Sequence, residues 1–190
     1  MAIVELLKNI GFIKLYIVLC FILLLFLFNS KNKNHLLVVS IVSLSVFNEV
    51  LNYVLLANKF SVSFNSNIYT VIHNSTWLVI LKAIFEKKKL GIILLLYLIF
   101  SFTTLLLTSY FIYNFLIFIT GALLYCTLFI FLCYEKLLKE EFDFFTSNNF
   151  YLVFAPVMFF LGLSLIFGFQ NTSLAQIKIF QNLSLYKFIT

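Results

Sequence analysis

Six stretches of the chain are apolar almost without a break, near 10–28, 36–56, 67–85, 90–108, 114–133 and 150–169. Each is long enough to cross about 30 Å of hydrocarbon as a helix. The polar and charged residues gather between them, in "NSKNKNH" (29–35), "ANKFSVSFNSN" (57–67), "EKKK" (86–89), "TSYFIYN" (108–114) and "YEKLLKEEFDFFTSNN" (134–149), the composition a water-exposed turn needs. The apolar runs are continuous instead of alternating, which disfavours a barrel and predicts helices. The expected fold class is therefore all-α, a polytopic membrane bundle of six transmembrane helices forming one transmembrane domain over residues 1–190. The tail 170–190 contains Gln176, Lys178, Gln181 and Asn182, which make it a poor span. It reads as an interfacial helix or a weak, partial seventh span.

Composition explains why the solvent must be lipid. Of 190 residues, 63% are hydrophobic and 11% charged, too little polar surface to cover a globule in water. The first run is too long for the core of a signal peptide and "LFNS" after it is no cleavage site, so it reads as a retained helix. The net charge of +6 would suggest nucleic acid in a soluble protein. Here the lysines sit in short clusters between apolar runs, which makes them orientation signals and leaves no nucleic-acid partner to expect. All thirteen basic residues are Lys, which removes the bidentate clamp that Arg gives phosphate and carboxylate. The Lys, Asn, Ile and Phe bias fits an AT-rich bacterial genome and hence a bacterial cytoplasmic membrane.

Orientation follows from the same lysines. Lys31, Lys33, Lys82, Lys87, Lys88, Lys89, Lys136 and Lys139 lie in the first, third and fifth loops and their flanks, against Lys59 alone in the second and fourth. The odd loops are then cytoplasmic and the N-terminus outside. The "EKKK" run could also hold anionic lipid head groups.

With the direction set, the polar interruptions can be placed in depth. "SVFNEVLNY" (45–53) puts Asn48, Glu49 and Asn52 within two turns of the second span. In the third, Tyr69, His73 and Trp77 recur every four residues down one face, with Asn74 beside them. Counted at about 1.5 Å per residue, Glu49 and His73 both lie about 10 Å below the outer surface. Asn48, Glu49, Asn52, Tyr69, His73, Asn74 and Trp77 are therefore expected to line an outward-facing ligand-binding cluster. An ionisable group in a membrane costs on the order of 2.5–3.5 kcal/mol, which makes Glu49 a functional candidate by default. Ser101, Thr103, Thr104, Thr120, Gly121, Gly162 and Ser164 fall in the same outer half, while Tyr97, Tyr125, Cys126 and Pro156 interrupt the plainer inner halves. The competing reading of all these groups is interhelical glue.

Little catalytic chemistry is legible. His35 and His73 belong to opposite sides, too few and too far apart for a zinc site or a haem, and Cys20, Cys126 and Cys133 lack metal or redox spacing. No metal and no cofactor are expected. A hydrolase would need His73 as base with a hydroxyl such as Ser101 or Ser164, yet no GxSxG elbow is present.

Glu49 in the second span, "NIYTVIH" (67–73) opening the third, and the Phe-rich sixth span after "TSNNF" (146–150) resemble small uncharacterised multi-pass bacterial membrane proteins, often encoded near two-component histidine kinases. The resemblance covers spans 2 to 6 and implies a sensory or accessory role beside a separate membrane or cytoplasmic signalling partner. Where that pattern would place Glu, this chain has His73, replacing an acidic pair by an acid and an imidazole. The expectation is a non-enzymatic module in contact with membrane lipids, binding a small or lipidic ligand or responding to pH. A small transporter or proton-coupled carrier and an intramembrane hydrolase are the alternatives.

Overall fold

A computed structural model describes residues 12–26, 33–108, 114–169, 178–180 and 183–184. Each predicted apolar run coincides with a helix: α1 is Phe12–Phe26, α2 Lys33–Ala57, α3 Ser63–Phe85, α4 Leu90–Leu107, α5 Phe115–Leu138 and α6 Asn148–Phe169. A short 3-10 helix, Phe142–Thr146, joins α5 to α6. Two short strands, β1 (Lys178–Phe180) and β2 (Leu183–Ser184), pair antiparallel near the C-terminus. The architecture is otherwise all-α.

Among the described residues, four helices are long and apolar enough to cross a membrane: His35–Ala57 within α2, α3, α4 and α5. The apolar parts Ile17–Phe26 of α1 and Asn148–Gly162 of α6 are shorter. Large side chains face outward along all of these helices, with Phe26, Leu106 and Leu107 more than three-quarters exposed. Such a surface is what a membrane protein presents to lipid and what water would not tolerate.

The chain forms two compact units, residues 47–158 and the described parts of 1–46 with 159–190. In the second of these, Ser40 and Ser45 return their hydroxyls to the carbonyls of Leu36 and Ile41 one turn back, so each polar group is satisfied inside its own helix.

The unit 47–158 is organised around α3, which packs against both α4 and α5. One face of α3 recurs at Asn67, Thr70, Val71, Asn74, Leu78, Leu81 and Phe85, all buried, at the three-and-four spacing of a helix facing protein. Its first half is polar and its second apolar. Leu81 and Ile80 on α3, Ile117 on α5 and Val153 on α6 are fully buried, with Tyr125 close to it. Pro156 leaves one helical hydrogen bond of α6 unmade, and a turn earlier the Tyr125 hydroxyl donates to the Val153 carbonyl at 2.7 Å.

The lysine-rich loops tie the other end. The Lys87 ammonium donates to Glu135 of α5, Lys139 lies 3.6 Å from the same carboxylate, and Lys136 pairs with Glu141. Phe144 of the 3-10 helix lies on Phe85 with ring centres 5.1 Å apart, and Lys136 sits 5.6 Å above the Phe144 ring. Three segments end in left-handed residues, Lys59, Glu86 and Glu140 at φ of 61°, 53° and 57°, where a glycine is the usual occupant.

The start of α3, the end of α5 and the tail differ most from expectation, and α2 also begins three residues early, at Lys33. α3 begins at Ser63 and not at 67, because Asn65 and Asn67 find partners on other segments and Ser61 accepts the Ser63 N–H at 3.3 Å. α5 runs on to Leu138, past 133, since Glu135 and Lys136 are held by ion pairs instead of facing water alone. In the tail, 178–180 and 183–184 are strands where an interfacial helix or a seventh span was expected; the rest of 170–190 lies outside the described residues. So do residues 1–11, 27–32 and 109–113.

Candidate functional site: a layer of amides around the third helix

The polar residues singled out from sequence fall into two groups, joined by residues that the sequence reading passed over. The first lies between α2 and α3. Asn65 Nδ2 donates to Asn48 Oδ1 at 2.9 Å and to Asn52 Oδ1 at 2.7 Å, so one amide bridges two others a turn apart on the neighbouring helix. Asn48 is buried, Asn52 and Asn65 half-buried. The bridge fills the donor capacity of Asn65 and leaves the two Nδ2 groups of Asn48 and Asn52 as donors. Glu49 is half-buried beside Asn48 on α2.

The same row of α3 continues down from Asn65 through Tyr69, His73 and Trp77, each four residues on. The Tyr69 and His73 ring centres are 5.3 Å apart, and His73 meets Trp77 edge-on at 6.2 Å. The indole Nε1–H of Trp77 donates to His73 Nε2 at 3.2 Å. Both residues are 8% exposed, which places this bond inside the protein and fixes the imidazole as an acceptor at Nε2.

The second group faces α4 and α5. Asn74 is 2% exposed, and its Nδ2 donates to the Tyr97 hydroxyl on α4 at 3.0 Å. That hydroxyl lies 3.5 Å from the Ile117 carbonyl of α5 as donor to it. Gly121 makes the junction feasible: a β-carbon there would fall 2.2 Å from Asn74 Nδ2 and 2.9 Å from the Tyr97 hydroxyl. Seven residues up the same face, Asn67 Oδ1 accepts the backbone N–H of Asn114 at 2.7 Å. Asn114 in turn caps α5, its Oδ1 accepting from Leu116 N–H and its Nδ2 donating to Thr108 at the end of α4.

Of the predicted residues, Asn48 and Asn52 thus meet through Asn65, Tyr69, His73 and Trp77 form one ladder, and Asn74 turns into a separate three-helix junction. Tyr97 belongs to that junction and does not merely interrupt an apolar half. Asn65 was within reach of the four-residue repeat, which needed only one further step toward the helix start. Asn67 and Asn114 carried no such periodic signal.

The threonine hydroxyls nearby bond within their own helices, whereas the buried hydroxyls of Ser75 and Ser101 have no hydrogen-bond partner among the described residues. Thr70, Thr76, Thr103 and Thr104 each donate to the carbonyl four residues back in their own helix. Among the described residues, no group of three His, Cys, Asp or Glu side chains could hold a metal ion. Chemically, the layer offers amide donors and acceptors, one imidazole and one indole. No protein-family model matches the chain, and neither does any curated protein or solved structure.

Proposed function

We propose that this chain is a non-enzymatic integral membrane module, sensory or accessory, of a bacterial cytoplasmic membrane. Its amide layer responds to pH or to a small or lipidic ligand entering from outside, and passes the change to a separate membrane or cytoplasmic partner. All six helices cross the bilayer in this reading, with the N-terminus outside and the lysine-rich turns in the cytoplasm. The Lys87 to Glu135 ion pair supports that arrangement, since it holds two of the lysine-rich segments at one end.

The observation that carries the reading is the Trp77 to His73 hydrogen bond. A proton arriving at His73 Nε2 removes the acceptor and turns it into a second donor facing the indole N–H. The bond breaks, and the ladder above it must rearrange. Because α3 also supplies Asn65 to α2, Asn67 to the start of α5 and Asn74 to α4, a shift along α3 is felt by three other helices at once. The packed Leu78, Ile80, Leu81 and Phe85 below the layer favour this over a carrier with a water path.

Trp77 is the single tryptophan of the chain and reports directly on its partner. In a titration from about pH 8 to about pH 3, the wild-type emission should pass through one sigmoidal transition, and His73→Gln, which still accepts from the indole, should abolish it. An unchanged transition in His73→Gln, or a flat wild-type curve, would sink the pH reading.

A further inference from the structure

At the end of the molecule opposite the amide layer, Val79, Lys82, Ala83, Glu86, Lys87 and Lys88 line a shallow groove of about 370 Å³ on the flank of α3. Its walls carry three lysines against one glutamate. Lys87 is engaged by Glu135, whereas Lys82 and Lys88 form no ion pair among the described residues. Lys82 is the last-turn lysine of α3 and reaches across the turn to the start of α4, its Nζ lying 3.2 Å from where a Gly91 β-carbon would be. The C-terminal carbonyls of α3 repel an anion here and the first turn of α4 attracts one, so the two helix ends offset each other and the lysines decide the sign.

The floor of the groove is apolar and leads somewhere. Ile68, Ile72 and Val79 are exposed along one stripe of α3 that runs into Ala83, a length of about 22 Å at 1.5 Å per residue. Thr76, within that stripe, satisfies its hydroxyl on the Ile72 carbonyl. A charged head at one end and a chain-length apolar track below it match one kind of occupant.

We propose that this groove is a binding site for an anionic phospholipid, its phosphate held between Lys82 and Lys88 and one acyl chain lying along Ala83, Val79, Ile72 and Ile68. Lys87 is the weaker contributor because its ammonium is shared with Glu135, and Glu86 at the rim selects against lipids that bring a second negative charge to that side. The site is independent of the amide layer and stands whatever that layer binds.

Native mass spectrometry of the full-length protein in detergent tests this with phosphatidylglycerol and phosphatidylcholine of the same chains. The wild type should retain phosphatidylglycerol preferentially, and Lys82→Gln with Lys88→Gln should reduce the preference by about 25-fold, at roughly fivefold for each lysine. Lys136→Gln with Lys139→Gln, at the same end but outside the groove, should keep it. Equal retention of both lipids by the wild type, full preference in the groove variant, or equal loss in the control would overturn the site. Displacement of the lipid by inorganic phosphate alone would overturn the assignment to a lipid and reduce the groove to an anion site. Helical circular dichroism of each variant separates loss of binding from loss of fold.

Discussion

A methyl group on Gly121 would lie 2.2 Å from the side-chain nitrogen of Asn74, so α5 approaches α3 at that point only because the residue is glycine. The contact sits where the Tyr97 hydroxyl is also bound, and the neighbours are packed on every side. Gly121→Ala should therefore destabilise by about 1–3 kcal/mol, the usual cost of overpacking, measured by unfolding in mixed micelles. Gly162→Ala is the contrast. Nothing lies within 4 Å of the position its β-carbon would take, and the change should be neutral or gain up to about 1 kcal/mol from helix propensity.

The amide bridge predicts a coupling. Asn65→Ala removes both of its bonds to α2, at about 0.6 kcal/mol each in a membrane setting, so a loss of about 1 kcal/mol is expected. Asn48→Ala should cost less in the Asn65→Ala background than alone. A double-mutant cycle giving strict additivity would show that the bridge is not formed in the membrane.

Glu140 follows the end of α5 in a left-handed conformation, φ 57°, which crowds a β-carbon and suits glycine. Its side chain is exposed and takes no part in the ion pairs of that corner. Glu140→Gly should stabilise by about 0.5–1 kcal/mol, while the same change at neighbouring Glu141 should not, because it removes the partner of Lys136.

The helices were legible because an apolar run long enough to span hydrocarbon can do little else, and their number and order follow from the polar breaks alone. The start of α3 was hidden by its own chemistry. Ser61, Ser63, Asn65, Ser66 and Asn67 look like a loop to any rule that equates polarity with water, yet Asn65 and Asn67 are helical and satisfied by Asn48, Asn52 and Asn114. The Tyr69, His73 and Trp77 ladder was legible because its partners share one helix, where spacing fixes contact. Asn74 and Tyr97 were not paired in advance because their contact depends on how closely three helices approach, and that distance is set by one missing side chain at Gly121.

The division of α3 into a polar upper half and an apolar lower half also bears on how the chain enters the membrane. Of the four helices long enough to span, α3 is the least apolar and has the largest share of its surface buried by the rest of the protein. Alone in lipid, Asn65, Asn67, Asn74 and His73 would each lack a bonding partner that only a neighbouring segment, or the helix's own lower turns, can supply. α4 and α5 are far greasier and can partition unaided. During synthesis α3 emerges before both of them, so its settled position in the bilayer waits on helices that have yet to be made, and a chain cut short after α3 would be expected to remain at the insertion machinery.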